Sequence, residues 1–198
     1  CSGYESLEIL NKVRESSLMV KNGYAAFEKD SVVFHEKYYN HPVLSGLLWI
    51  ASMNNNKLNV LDFGGSLGSS YFQNRFCFEH LEEFTWNIVE QQSFVEEGQK
   101  YFSDEKLKFY YSIDDCLKVN KIDIILLSSV LPYLEKPYEL LESIIKLKFK
   151  YILFDKMPLI RGADRITIQK VNPKIYKATY PCWFFNEAKF LDLMKQDY

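Results

Sequence analysis

The chain has 198 residues, 47% apolar and 16% aromatic, which is enough to bury a sizeable core in one compact domain and too much for a disordered segment. A formal charge of −2 and a pI near 6.0 exclude the global basic field that drives binding to a phosphate backbone, so nucleic acid is not an expected partner. The longest apolar runs, 43–53 and 122–131, fall short of the roughly 18 to 20 residues that span a bilayer, so no membrane span is expected.

Cysteines stand at positions 1, 77, 116 and 182, with no C-x-x-C pair and no histidine at zinc-ligand spacing, which predicts free thiols and no metal site. No signal-peptide pattern opens the chain, so the expected compartment is the cytoplasm, and a start at Cys1 suggests that residues precede it.

In chain order, Ile9, Leu10, Val13, Leu18 and Val20 recur at helical intervals and predict an amphipathic helix within 5–27. Pro42 suits the first turn of a second helix carrying Val43, Leu44, Leu47, Leu48 and Ile50 and ending in the polar run 54–57. Residues 1–56 are thus expected to form a helical cap on a core at 57–198. In that core, short apolar runs alternate with amphipathic stretches, the pattern of βαβ units and a mostly parallel sheet with helices on both faces. Strands are predicted at 58–63, 85–90, 107–111, 122–128 and 151–155, and helices near 69–83, 93–103, 137–147 and 186–195. A further short strand is predicted around 165–171, and Gly162 near Pro158 marks a loop. The stop at Tyr198, directly after a helix, suggests a sheet truncated at that end.

The run Val60-Leu61-Asp62-Phe63-Gly64-Gly65-Ser66-Leu67-Gly68 closes a strand on an acid and turns through glycines into a helix near Ser69. Small residues let the backbone turn sharply and approach a ligand, and helix N-terminal N–H groups favour an anion. Three chemistries compete for such a loop. A dinucleotide loop wants G-x-G-x-x-G, but Gly64 and Gly65 are adjacent, Ser66 stands at the second-glycine position, and Asp62 would repel a pyrophosphate. The literal G-x-S-x-G around Ser66 suits a hydrolase elbow, but its triad needs a late histidine, and only His80 follows the serine, in the next helix. A sulfonium cofactor with an α-ammonium group would welcome Asp62. Glu90, ending the next strand, is placed to accept hydrogen bonds from both ribose hydroxyls. The loop therefore points to S-adenosylmethionine, with a binding protein that lacks turnover and a nicotinamide oxidoreductase as the competing readings.

The segments 24–32, 60–72, Val89-Glu90-Gln91, 109–113, 127–134 and Tyr180-Pro181-Cys182-Trp183 together resemble a family of bacterial methyltransferases associated with surface-polysaccharide gene clusters. The resemblance covers most of the chain. It implies a Rossmann-like class I methyltransferase fold, S-adenosyl-L-methionine as donor, and a sugar or glycan precursor as acceptor. His35 and His41 stand where the family carries an acidic and an aromatic residue, so neither is taken as catalytic.

In a parallel sheet ligands sit at the carboxyl ends of the strands. Asp62, Gly64, Gly65, Ser66 and Gly68 are the expected holders of the methionine moiety, Glu90 of the ribose, and Gln91 of the adenine side. Ser112, Ile113 and Asp114 follow the third strand as an adenine edge or a helix N-cap. Ser128 opens the segment beneath the transferred methyl, and Tyr133 either faces the acceptor or packs. Asp155, ending the fifth strand, is either a general base for O-methylation or a structural strand-end residue. Lys156, Arg161, Arg165, Lys170, Lys174 and Lys177, against Asp164 alone, suggest either a clamp for an anionic acceptor or a solvated loop.

Overall fold

The computed structural model describes residues 7–171, 178–195 and 198. The chain opens with α1 (Leu7–Lys21) and a hairpin of β1 (Phe27–Lys29) and β2 (Val32–Phe34), followed by α2 (His41–Met53). Besides its two helices, the 1–56 segment contains two short strands. They are joined by Asp30 and Ser31, both at positive φ, which is the geometry of a two-residue hairpin turn.

The strands that build the core are β3 (Lys57–Phe63), β4 (Glu83–Val89), β5 (Leu107–Tyr110), β6 (Ile124–Ser128) and β7 (Tyr151–Asp155). All pair in parallel, in the order β5-β4-β3-β6-β7. β3 is buried along almost its whole length, as a central parallel strand covered on both faces must be. The order reverses between β3 and β6, so their carboxyl ends flank a crevice, the usual ligand position in such sheets.

Between the strands run α3 (Ser69–Asn74), α4 (Gln92–Tyr101), α5 (Ile113–Val119) and α6 (Pro137–Lys146). The helix predicted through residue 83 stops at Asn74 and tightens into a 3-10 turn at Arg75–Phe78. The Asn74 amide donates to the Ser70 carbonyl at 2.9 Å, a side-chain contact that competes with the helical ladder.

Alternation along the strands divides the interior. Val60, Trp86, Ile88 and Phe109 pack against α1, α2, α3 and α4, whereas Leu61, Val89, Ile125 and Leu127 pack against α5 and α6. The second face is completed by elements beyond β7. These are β8 (Leu159–Ile160), β9 (Arg165–Lys170), β10 (Thr179–Asn186) and α7 (Glu187–Met194). The strand predicted near 165 is present as β9, but it lies outside the main sheet, antiparallel to β10, with β8 on the other side of β10. Asp164 secures this unit by accepting from the Asn186 backbone N–H at 2.7 Å and pairing with Lys189 at 2.6 Å. No helix among the described residues is long and apolar enough to cross a membrane.

At Gly98 of α4 an added Cβ would lie 2.4 Å from the Phe109 ring on β5. Helix propensity favours alanine there by about 1 kcal/mol, but overpacking a tight interface costs about 1–3 kcal/mol. Gly98→Ala is therefore expected to lower the midpoint of chemical denaturation; a rise would show that α4 slides to accommodate the methyl.

Candidate functional site

The turn after β3 is held by the backbone. Gly64 N–H donates to the Val89 carbonyl at 2.9 Å, and Gly68 N–H to the Gly65 carbonyl at 3.1 Å. Gly64 has a φ of +74°, and a Cβ there would strike Val130 Cγ2 at 2.5 Å, so both conformation and space demand glycine. A Cβ at Gly65 would lie 2.6 Å from the Asp62 carboxyl carbon, which places that carboxyl directly beneath the turn.

Asp62 is 1% exposed. The Trp86 indole N–H donates to it at 3.0 Å. Burial pushes its pKa up to about 7, opposed by the indole hydrogen bond and reinforced by the nearby charge of Glu90. Glu90, just beyond β4, is bound on both oxygens, accepting from the Ser66 N–H at 3.3 Å and the Gln91 N–H at 2.7 Å. Burial also raises its pKa, against those two hydrogen bonds. Among the described residues neither carboxyl forms an ion pair with a basic side chain.

A third carboxyl, which strand-end reasoning passes over, comes from the hairpin. Glu28 is 8% exposed, accepts from the Ser69 hydroxyl at the start of α3 and from the Ser31 N–H at 3.2 Å, and has a pKa raised by burial. It lies in the 24–32 run of the family resemblance, the signal that marked it in the sequence.

Ser112, Ile113 and Asp114 join Phe63, Val89 and Tyr111 around a cavity of about 380 Å3, closed by Ser143 and Leu147. Ser112 also caps α5, accepting from the Asp115 N–H at 3.1 Å, so the cap and the cavity wall are one feature. Gln91 starts α4 with its side chain exposed.

At the ends of β6 and β7, the Ser128 hydroxyl donates to Asp155 Oδ2 at 2.6 Å and the Asn40 amide donates to the same oxygen at 2.7 Å. Lys156 Nζ stands 3.6 Å from it. All three contacts converge on Oδ2. Asn40, brought from the start of α2, is a contact that no local pattern announces. Tyr133 turns toward the small sheet, donating to Gln169 at 3.1 Å and meeting the Tyr180 ring edge-on at 5.2 Å. Burial raises its pKa, away from a proton-accepting role near neutrality.

Two of the basic residues in the 156–177 segment are held by local contacts. Lys156 lies on Asp155 and Arg165 stacks on Phe184, while Lys174 and Lys177 lie outside the described residues. Three of the eight non-glycine residues at positive φ among the described residues follow the strands at the crevice. Ser66, Ser129 and Lys156 all have positive φ, at 54°, 58° and 52°, directly beyond β3, β6 and β7. Each costs on the order of 1–3 kcal/mol, and such strain collects at ligand sites.

Two solved structures share this architecture. The N-terminal domain of EvdMO1, crystallised in the presence of SAH and D-fucose, superposes with a TM-score of 0.52 at 10% identity, over 96% of this chain and 85% of that one. The mitomycin 7-O-methyltransferase MmcR superposes with a TM-score of 0.50 at 13% identity, over 95% of this chain and 54% of that one. The chain has the Rossmann-like class I methyltransferase fold. No protein-family model and no curated protein sequence matches it.

Two outcomes follow from the loop. Gly64→Ala should cost on the order of 1–3 kcal/mol from backbone strain alone, read as a lowered melting temperature, with further loss from the Val130 overlap. A raised folded-state pKa at Asp62 means that its contribution to stability is present below its ordinary value of about 4 and lost as pH rises through about 7. Thermal unfolding of Asp62→Asn should lack that decline; identical pH profiles for the two proteins would contradict the burial argument.

Proposed function

We propose that the chain is an S-adenosylmethionine-dependent methyltransferase that O-methylates a small sugar or surface-glycan precursor. The observation that carries the reading is a pair of carboxyls, Asp62 buried and Glu90 partly buried, with no ion-pair partner among the described residues, set around a glycine turn at the switch point of the sheet. A pyrophosphate would be repelled there. An ammonium group and a ribose diol are what such carboxyls attract, which weighs against a nicotinamide cofactor.

When bound, S-adenosylmethionine supplies an electrophilic methyl group on a sulfonium. Asp62 and the 64–68 turn hold the amino-acid end, with the Asp62 charge balancing the ammonium. Glu90 accepts from the ribose hydroxyls, and the cavity formed by Val89, Ser112 and Ile113 takes the adenine. Ser128, Asn40 and Asp155 face the acceptor. Asn40 and Ser128 fix the Asp155 carboxylate through one oxygen, so the other is oriented toward an acceptor hydroxyl and can receive its proton. Methyl transfer is an in-line displacement, so orientation accounts for much of the rate and the base adds about 10² to 10⁴. The sugar acceptor is supported by the family resemblance and by the neighbour crystallised with SAH and D-fucose. O-methylation is supported by the oxygen-methylating neighbour MmcR and by the carboxylate at the strand end.

Calorimetric titration with S-adenosylhomocysteine tests the reading. Binding is expected to strengthen as pH rises toward about 7 and to level off above, because an ammonium ligand favours ionised Asp62. Glu90→Ala should weaken binding roughly a hundred- to ten-thousandfold, the value of two hydrogen bonds to a charged group at about 1.5–3 kcal/mol each. Asp155→Asn should leave that affinity intact while lowering turnover by about a hundredfold. No binding to intact protein at millimolar ligand would dismiss the cofactor. Binding without acceptor-dependent release of S-adenosylhomocysteine would favour a binding protein.

A further inference from the structure

A second concavity, of about 480 Å3, lies away from the strand ends. One wall is the chain between α1 and α2; the other is α3 with the 3-10 turn that follows it. Aromatic rings line it in the open. Tyr24 is 71% exposed, Tyr38 61% and Phe76 42%, and the Tyr39 ring stands 5.6 Å from that of Phe76. Exposed rings gathered around one hollow mark a binding surface, since each forgoes the burial that aromatics normally obtain.

Cations accompany the rings. Lys37 Nζ lies 5.3 Å above the Phe76 ring, and the Arg75 guanidinium lies 5.2 Å from the Phe72 ring centre. Neither forms an ion pair with a carboxylate among the described residues. His35 adds a third basic group, and Glu79 is the one acid in the lining. Flat aromatic faces stack bases, while unpaired lysine and arginine hold phosphate oxygens. A neutral sugar would leave the cations unused, and a simple anion would leave the rings unused. The volume falls in the range of small-molecule pockets.

The geometry points to a nucleoside diphosphate as the ligand of this groove, its base stacked among Tyr24, Tyr38 and Phe76 and its phosphates held by Lys37 and Arg75. The inference rests on the methyl-transfer reading, in which that unit is the carrier of the acceptor sugar. The groove and the strand ends are linked by adjacent residues. Tyr38 and Tyr39 lead directly into Asn40, whose amide holds Asp155, and the Gln73 amide ties the Tyr38 carbonyl to α3. Successive Cα atoms lie about 3.8 Å apart, so the Cα atoms of Tyr38 and Asn40 are at most about 8 Å apart and the groove ends near the residue that holds Asp155.

The test is calorimetry with uridine diphosphate, adenosine diphosphate and pyrophosphate, each with S-adenosylhomocysteine at saturation so that the adenosyl site is closed to the probes. Both nucleotides are expected to bind more tightly than pyrophosphate. Lys37→Ala and Tyr38→Ala should each weaken uridine diphosphate about tenfold, with S-adenosylhomocysteine affinity unchanged. Absence of nucleotide binding at millimolar concentration, in protein that binds S-adenosylhomocysteine, would overturn the inference. So would pyrophosphate binding as well as the nucleotides with no effect of Tyr38→Ala. Failure to bind S-adenosylhomocysteine would instead remove the methyl-transfer reading. The uridine diphosphate titrations, with and without Lys37, would still decide the groove.

Discussion

The site depends on a carboxyl buried where the fold gives it almost no compensation. Asp62 sits beneath the turn that follows the central strand, with one indole N–H for a partner and Glu90 nearby adding repulsion. Burying a charge without a counter-charge costs so much that the group gives up its charge instead, which is why its pKa rises. An asparagine would serve the ligand-free protein better. An acid there fits the proposed methyl donor, whose ammonium would supply the missing cation. The glycines follow from the same arrangement, because the carboxyl beneath Gly65 and the Val130 side chain against Gly64 leave no room for a Cβ at either.

Much of the scaffold was legible because the central strands are short, apolar and separated by amphipathic stretches. Strand 151–155 was found at its observed limits, and the other four to within two residues. The misses are set by contacts that hydrophobic periodicity does not carry. β1 and β2 are three residues each and form only by pairing with one another over an Asp-Ser turn. β9 reads locally as a strand, but nothing local says that β10 will draw it away from the main sheet. The helix after the glycine turn ends early because the Asn74 side chain takes a backbone carbonyl, a competition invisible to hydrophobic periodicity.

The same division runs through the site. Residues at strand ends were readable, since topology delivers strand termini to one crevice whatever the loops do. Asp62, Glu90, Ser128 and Asp155 are all of this kind, and Ser128 and Asp155 meet through a hydrogen bond. Glu28 and Asn40 come from the N-terminal segment and reach the crevice only after the hairpin and α2 have packed. Tyr133, read from the sequence as either facing the acceptor or packing, has its hydroxyl and ring against the small sheet. On the proposed reading, strand-end residues could be found from local sequence, and the contributions of Glu28 and Asn40 only from tertiary packing.

A crystal structure with S-adenosylhomocysteine tests the central claim most directly. The account predicts the ribose hydroxyls on the Glu90 carboxylate, the amino-acid end over the 64–68 turn with its ammonium toward Asp62, and the sulfur facing Ser128 and Asp155. A ligand lying elsewhere, or a ribose turned away from Glu90 with Asp62 left without a cationic neighbour, would contradict it.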